Sequence, residues 1–401
     1  MKTTGIIAEY NPFHNGHKYH LEKARQITGC DYVVVVMSGD YTQRGTPAIY
    51  SKYMRAKAAL LSGADLVLEM PVYGSASSAP DFAECGVNTL AATGICDYLF
   101  FGSESGDMEL LRKQADILSD ESEEISSKIK AGLKSGLSWP DARASAYGDD
   151  KHIASLPNDI LGIEYLRAIK KLETPLTPVT LKRNDPGYHS EEKEGKFASA
   201  TAARKAILEQ DLDFLQEVLP DEHFASLADF ACPPVTFDDC SLLLGEKLLN
   251  VSLEQLSNIS GMPEDLARKL YKHRLDFLPS AQLVAERKDR NYTYTRVNRC
   301  LLNLMLEITK EDSLLFKENH SAPWLRILGF RKDAGPLLSE LKKKATAPII
   351  AKVANANELL SDNQLVLFEK QLKTAELYRL LSQLKSGGIQ KNEFTNSIII
   401  V

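Results

Sequence analysis

The sequence predicts an α/β protein in which a parallel sheet is followed by a mainly α-helical C-terminal region. The first observation is a short apolar run, residues 6–8, that breaks at Asn11-Pro12 and leads into a helical pattern. The second is the run Tyr-Val-Val-Val-Val-Met at residues 32–37, which is typical of a strand covered on both faces. The third is the helical character of residues 208–249.

The remaining elements follow from the same kinds of signal. A helical pattern over residues 52–61 stops near Gly63, and an apolar strand pattern at 65–70 is closed by Pro71. Further strands are predicted at residues 98–101 and 178–182, helices from 158, from 199 and over 363–384, and a packed strand-like end at 397–401. Residues 106–150 predict a solvated helical insertion, because residues 97–124 carry a local net charge of −7.

Length and composition limit the classes of protein that the chain can belong to. At 401 residues it is long enough for two or three domains, and we place a division between residues 1–205 and 206–401. No apolar run approaches the length needed to cross a bilayer, so a cytoplasmic protein is expected. The six cysteines include no Cys-x-x-Cys pair, which argues against structural zinc and against a disulfide framework.

The segment from His14 to His20 is the strongest candidate for a functional site. His14, His17 and His20 are three residues apart, so on a helix they share one edge of its first turns, where unpaired N–H groups attract anions. Gly16 lets a ligand approach the backbone closely, because glycine has no Cβ. The alternative is a helix cap that carries surface histidines.

Other candidates follow the predicted strands, where ligands bind in open α/β sheets. Asp40 and Arg44 lie in the loop after residues 32–37, and simple turn residues are the alternative for both. Gly102 follows a core strand, so its backbone can lie against a base or a ribose. Arg183 follows the last strand and can hold phosphate with two N–H groups.

Two helix starts complete the predicted anion site. Asn158 suits either capping or contact with a bound nucleotide. Ser199 and Thr201 open a later helix and bring hydroxyls and N–H groups, and Arg204 lies one turn further on. The chain has no Gly-x-x-x-x-Gly-Lys-Ser/Thr loop, so the ATPase type of phosphate site is absent from the sequence.

The C-terminal region carries a concentrated basic segment. Residues 253–274 resemble a helix-hairpin-helix, whose turn amides grip nucleic-acid phosphate. Residues 268–299 have a local net charge of +6 with tyrosines interleaved, the composition that RNA binding needs. The alternative is a solvated helical hairpin, and residues 325–335 and 342–344 could extend the basic surface. The candidate RNA contacts are Arg268, Lys272, Arg287, Lys288, Arg290, Tyr292, Tyr294 and Arg296.

Three segments carry a family resemblance. His14-Asn15-Gly16-His17 after a first strand resembles the signature of the nucleotidyltransferase superfamily, which includes adenylyltransferases and class I aminoacyl-tRNA synthetases. The longer segments 7–20, 38–45 and 198–204 resemble those of the bacterial tRNA(Met) cytidine acetate ligases, and the likeness runs over nearly the whole chain. It implies a Rossmann-like nucleotidyltransferase core.

The resemblance also implies a reaction and its residues. Acetate and ATP, with Mg²⁺, would give acetyl-adenylate and pyrophosphate, and the acetyl group would pass to N4 of the wobble cytidine of elongator tRNA(Met). His14, His17, Asp40 and Arg204 would be catalytic, with Asp40 as the hypothetical base for the attack of the weakly nucleophilic cytidine amine. The implied ATP-binding residues are Ile7, Ala8, Glu9, Tyr10, Asn11, Pro12, Phe13, His14, Asn15, Gly16, His17, Lys18, Tyr19, His20, Gly102, Asn158, Arg183, Ser199 and Thr201.

Two other functions stay open at this point. One is an adenylyltransferase for a small metabolite, against which the additional helical and basic residues argue. The other is a non-catalytic RNA-binding protein, against which the intact His-x-Gly-His segment argues. The choice of acetate and of this tRNA depends on the resemblance alone, and the sequence says nothing about oligomeric state.

Overall fold

One twisted sheet runs through the protein and joins its N-terminal and C-terminal halves. The computed structural model describes residues 1–119, 123–135, 142, 145–146, 156–183, 198–228, 233–288 and 292–401, and the predicted RNA contact Arg290 lies outside them. The strands are β1 (Thr3–Ala8), β2 (Tyr32–Ser38), β3 (Leu66–Met70), β4 (Tyr98–Ser103), β5 (Thr177–Lys182), β6 (Leu325–Phe330), β7 (Ile349–Ile350) and β8 (Ile399–Ile400).

The strand order is β5-β4-β1-β2-β3-β6-β7, and β8 also pairs with β6. Every pairing between these strands is parallel except that of β3 with β6. Residues 33–37 of β2 are completely buried, because helices cover both faces of the sheet. The predicted α/β class with a parallel sheet is confirmed.

Helices of the N-terminal half lie between the strands and after β5. They are α1 (Asn15–Thr28), α2 (Lys52–Leu61), α3 (Val72–Ser75), α4 (Ala79–Ala92), α5 (Met108–Ser119), α6 (Glu123–Lys134), α7 (Pro157–Leu172), α8 (Ala200–Glu209), α9 (Leu212–Val218) and α10 (Asp221–Ala228). Leu111, Ala115 and Leu118 of α5 are buried, and α5 packs on α7. One face of α5 is therefore part of the core, whereas a solvated helical insertion was predicted for residues 106–150.

The C-terminal half is mainly helical, as predicted. Its helices are α11 (Ser241–Asn250), α12 (Leu253–Ser257), α13 (Glu264–Lys272), α14 (Ser280–Arg287), α15 (Tyr294–Met305), α16 (Lys310–Glu318), α17 (Gly335–Lys344), α18 (Ala356–Leu359) and α19 (Asp362–Ser386). Within the described ranges, no helix combines the length and apolarity needed to cross a bilayer.

Strand β6 corrects one prediction. Residues 325–335 were expected to extend a basic surface, but Leu325, Ile327 and Leu328 are buried in the sheet. The side chain of Arg326 is buried too, and it forms ion pairs with two carboxylates, which removes the cost of an unpaired charge. The predicted strand-like end is confirmed as β8.

Candidate functional site

The two histidines of the His-x-Gly-His segment cap helix α1 reciprocally. Nδ1 of His14 accepts a hydrogen bond from the N–H of Gly16 at 3.1 Å, and Nδ1 of His17 accepts one from the N–H of His14 at 3.3 Å. A Cβ on residue 16 would lie 2.9 Å from Cε1 of His14, so only glycine fits beside the ring. The capping alternative from the sequence is therefore correct in geometry, but the rings are not surface groups.

This capping fixes the chemistry of both rings. Because each Nδ1 accepts a hydrogen bond, the proton of the neutral imidazole sits on Nε2, which becomes a donor. Burial lowers the pKa of His14 to about 3, and Arg183 and Arg204 add to the effect. Burial and the neighbouring His14 likewise lower the pKa of His17. Two neutral N–H donors therefore stand together at the start of α1.

Aromatic residues of the same segment hold His17 in place. Tyr10 and Phe13 are buried, and their ring centroids lie 4.8 Å and 5.6 Å from that of His17. Tyr10 has a φ of 49°, a left-handed conformation that is costly for a bulky residue and is concentrated at functional turns. Ile7 and Ala8 end β1, and Lys18 and Tyr19 are half-buried on α1.

The histidines face the point at which the strand order reverses. The chain runs from β1 to β2 and β3 on one side, and β4 and β5 lie on the other side of β1. A Cβ on Gly102, in β4, would lie 3.2 Å from Cγ of Arg183 and 3.9 Å from Cδ2 of His20. These three residues are thus brought together at the crevice where open α/β sheets bind ligands.

Asn158 contributes to this crevice without being the helix cap. The cap is Glu104, whose carboxylate accepts the N–H of Asn158 at 3.1 Å and that of Asp159 at 2.8 Å. Nδ2 of Asn158 also donates to Glu104 at 2.7 Å, and Nη1 of Arg183 donates to Oδ1 of Asn158 at 3.5 Å. The Asn158 amide therefore orients the guanidinium of Arg183.

A second helix start is tied directly to the histidine segment. Oγ of Ser199 accepts the N–H of Ala202 at 3.1 Å and caps α8. One turn later, Arg204 donates to the main-chain oxygen of Asn11 at 2.7 Å and to Oγ1 of Thr201 at 3.0 Å. The predicted group Ser199, Thr201 and Arg204 thus lies beside the turn that precedes His14.

His223, which lies in α10, was not predicted, because no motif in the sequence marks it. Its side chain is buried, and its Nε2 has no hydrogen-bond partner among the described residues. The charge of protonated His223 would lower the pKa of both His14 and His17, which places it close to that pair. Nδ2 of Asn15 donates to the main-chain oxygen of Glu217 at 2.9 Å and joins α1 to the end of α9.

Arg55 was missed as well, because a single arginine on a helix carries no sequence signal. Its guanidinium donates to the main-chain oxygens of Glu9 at 2.6 Å, Ser38 at 3.1 Å, Tyr50 at 2.9 Å and also Gly39. It thereby links the carboxyl ends of β1 and β2 and leaves a positive charge beneath the loops that follow them.

Asp40 lies in a buried cluster of charges rather than at the histidines. Its Oδ1 accepts the N–H of Lys52 at 2.9 Å, and its Oδ2 lies 3.5 Å from Nζ of Lys52. That Nζ also contacts Glu69 at 2.9 Å and Glu393 at 3.0 Å. Arg326 pairs with the same two glutamates, at 3.2 Å and 2.6 Å. A structural role therefore accounts for Asp40, and its role as a base stays a prediction.

Some of the predicted RNA contacts are buried in the structure, and the others are exposed. Arg287 and Tyr292 are buried, and the Tyr292 hydroxyl donates to Asp265. Nζ of Lys288 lies 4.5 Å from the ring centroid of Tyr294, so charge and ring form one unit. The exposed members are Arg268, Lys272, Lys288, Tyr294 and Arg296.

Helices α12 and α13 form the predicted pair around residues 258–263. The N–H groups of Ser260 and Met262 in this turn donate to the main-chain oxygens of Ile308, at 2.9 Å, and Ile259, at 3.1 Å. These two amides are already used within the protein, so they do not provide the phosphate contact that the helix-hairpin-helix likeness suggested.

A family model, curated relatives and solved structures all match this chain, the relatives and structures over its whole length. A model of the HIGH nucleotidyl transferase family matches residues 1–393. A tRNA(Met) cytidine acetate ligase of Caldanaerobacter subterraneus subsp. tengcongensis is 40% identical over 408 residues, and one of Thermoanaerobacter sp. is 38% identical over 409, with 100% of each chain covered. The apo crystal structure of Thermotoga maritima TmcAL matches with a TM-score of 0.92 at 29% identity. The same protein bound to alpha-thio ATP matches with a TM-score of 0.90 at 30% identity, and both matches cover 100% of each chain.

Proposed function

The chain belongs to the HIGH nucleotidyltransferase family, among the tRNA(Met) cytidine acetate ligases, and on this premise we propose that it activates acetate with ATP and acetylates a tRNA cytidine. In the first step a carboxylate oxygen of acetate attacks the α-phosphorus and pyrophosphate leaves. In the second, N4 of the wobble cytidine of elongator tRNA(Met) attacks the acetyl carbon, AMP leaves and the amine loses a proton. The products are N4-acetylcytidine, AMP and pyrophosphate, formed in the cytoplasm, where tRNA is present.

The paired neutral histidines carry this proposal. Nε2–H donors on His14 and His17 can bind phosphate oxygens at any pH in the physiological range, since neither ring has to gain a proton. Arg183 and Arg204 flank the pair and provide the positive charge that a triphosphate and its leaving group require. Acetate is already an anion, so the first step needs positioning and charge stabilisation rather than a general base.

The exposed basic residues around α13–α15 are the proposed surface for the RNA. Lysine and arginine side chains bind phosphates, and Tyr294 offers an exposed ring on which an unpaired base can stack. The cytidine amine is a weak nucleophile because its lone pair is delocalised into the ring. An acyl adenylate compensates for this weak nucleophile, because AMP is a good leaving group.

We also propose that Mg²⁺ binds together with the triphosphate of ATP. Among the described residues, no group of three or more histidine, cysteine or acidic side chains could hold a metal ion. Mg²⁺ keeps several waters and commonly binds through substrate phosphates with few protein ligands. It would supply further neutralisation of phosphate charge, while the histidines and arginines orient the triphosphate.

Acetate-dependent exchange of radioactive pyrophosphate into ATP tests the first step. His14→Asn is the decisive variant, because asparagine keeps a good helix cap while the Nε2–H donor is lost. We expect exchange to fall by about 10²-fold or more. The control is His320→Asn, which replaces an exposed histidine elsewhere. Absence of exchange in wild-type protein that binds ATP, or full exchange in His14→Asn, would contradict the proposal.

A further inference from the structure

The loop after β2 lies between the nucleotide site and helix α15. At its tip, the N–H of Gln43 donates to Oε1 of Glu9 at 2.6 Å, and Nη1 of Arg299 donates to the main-chain oxygen of Gln43 at 3.1 Å. Beside it, Nδ2 of Asn298 donates to the main-chain oxygen of Arg44 at 3.3 Å. The end of β1 is thus joined to α15 through a single turn, residues 43–45.

Gly45 brings the two backbones into direct contact. Its φ is 77°, and a Cβ there would lie 2.4 Å from the main-chain N of Arg299 and 2.7 Å from the main-chain carbon of Asn298. Among the described residues, the three atoms nearest to this Cβ position all belong to the main chain, which cannot move aside as a flexible side chain would. Any larger residue at position 45 must therefore separate the turn from α15.

The base of the same loop is fixed from the other side. The Tyr41 hydroxyl donates to the main-chain oxygen of Thr374 at 3.1 Å, and the Tyr378 hydroxyl donates to that of Ala48 at 2.8 Å. Both bonds connect the loop to α19. The turn at residues 43–45 is consequently a rigid support against which α15 rests.

Helix α15 also carries part of the proposed RNA surface. Tyr294 and Arg296 are exposed in its first turn, and Arg299 follows Tyr294 by five residues, about 7.5 Å along a helix. We propose that the contact between residues 43–45 and Arg299 sets the position of the bound RNA relative to the acetyl-adenylate, and that Arg299 is a positioning residue for acetyl transfer. The inference rests on the proposed function and concerns its second step alone.

Loss of this contact has a distinct chemical result. If the cytidine amine is out of reach, it does not attack the acetyl carbon of acetyl-adenylate. Water then breaks the acyl–phosphate bond and yields acetate and AMP. The protein then consumes ATP without acetylating RNA. The ratio of AMP formed to acetyl groups transferred therefore reports the position of the RNA. A general loss of folding would lower both quantities and leave their ratio unchanged.

The test compares Gly45→Ala with Gly387→Ala, a glycine of similar φ, 69°, with no described atom within 4 Å of its Cβ position. For Gly45→Ala we expect acetate-dependent exchange without RNA to stay within about twofold of wild type. The kcat of acetyl transfer should fall about tenfold or more at a nearly unchanged KM for tRNA, because ångström-scale misplacement costs up to about 10²-fold. The ratio of AMP to acetyl groups should rise accordingly, and Gly387→Ala should behave as wild type.

A second pair of variants covers the case in which Gly45→Ala fails to fold. Arg299→Met removes the donor to Gln43 and keeps much of the packing, whereas Arg299→Lys keeps a donor and should restore part of the acetyl transfer. Equal losses in exchange and transfer, or a higher KM for tRNA at unchanged kcat, would overturn the inference. Absence of exchange in wild-type protein would instead refute the proposed function, so the two failures are distinguishable.

Discussion

The imidazole rings of His14 and His17 stack with centroids 3.8 Å apart, and the main-chain N–H of His14 donates to Nδ1 of His17. One hydrogen bond thus begins helix α1 and fixes the tautomer of a ring at the site. The helix cap and the proposed phosphate donors therefore belong to the same two rings, the cap through Nδ1 and the donors through Nε2. A change at either histidine therefore affects both the local fold and the chemistry, unless the new residue can cap the helix.

The buried, neutral state of His14 predicts a dependence of stability on pH. Its pKa is about 3 in the folded protein and near 6.5 in an unfolded chain, so the unfolded state binds more protons between these values. Stability is therefore lost as the pH falls below about 6.5. Between pH 7 and pH 5 we expect wild type to lose about 2 kcal/mol more than His14→Asn, measured by urea unfolding. An identical loss of stability in both proteins would contradict the buried, neutral state of His14.

Asp40→Asn separates a catalytic base from a structural carboxylate. Burial raises the pKa of Asp40 and Lys52 opposes this, and the carboxylate is in contact with Lys52. We expect acetyl transfer by the variant to fall less than about tenfold, whereas loss of a general base costs about 10²–10⁴-fold. Single-turnover transfer from preformed acetyl-adenylate measures this step directly. A loss of 10²-fold or more would restore Asp40 as the base.

The charge cluster around Lys52 predicts a large effect on stability. In Lys52→Met, the buried carboxylates of Glu69 and Glu393 would keep Arg326 as a partner, whereas the carboxylate of Asp40 would lose its ion pair with Nζ of Lys52. Breaking a buried ion pair costs about 3–5 kcal/mol, and we expect a loss of this size in urea unfolding.

Lys170→Met is the matched control for this measurement. Lys170 pairs with Asp116 at 2.9 Å, but both side chains are more than half exposed. Exposed pairs contribute at most about 1 kcal/mol, so this variant should stay near wild type. Similar losses in the two variants would show that the buried cluster has no special role.

Exposure of Tyr294 predicts a contribution to RNA binding. Its ring is 49% exposed and lies under Nζ of Lys288. Tyr294→Ala should weaken tRNA binding by about 1–3 kcal/mol, the usual value for one stacked base. The control is Lys113→Ala, on helix α5, within the acidic stretch of residues 97–124. Filter binding at fixed salt measures both, and equal affinity for Tyr294→Ala and wild type would remove α15 from the RNA surface.

Local signals made much of the fold and the nucleotide site predictable. Apolar strands, helix starts and Gly102 are each encoded within a few residues, and the ends of parallel strands meet at one edge of the sheet. The structure brings His14, His17, Arg183 and Arg204 together, and their roles in binding and catalysis stay predictions. The family predicted from the three sequence segments is confirmed as well.

Contacts between distant parts of the chain were not predictable in this way. Glu393 pairs with Lys52, which is 341 residues away, and no periodic pattern marks that pairing. Arg326 interrupts an apolar run, so it suggested a basic surface, but its partners on β3 and near the C-terminus allow it to be buried. Tyr292 looked like an exposed ring because only the folded structure brings Asp265 to its hydroxyl.

Acetylation of the wobble cytidine can be measured by mass spectrometry of nucleosides from tRNA(Met) incubated with the protein, ATP and isotopically labelled acetate. We expect the label to appear as N4-acetylcytidine at the wobble position, and we expect His14→Asn to leave the tRNA unlabelled. Label that never enters the tRNA, while AMP becomes attached to a small metabolite, would contradict the proposed acetylation and establish an adenylyltransferase.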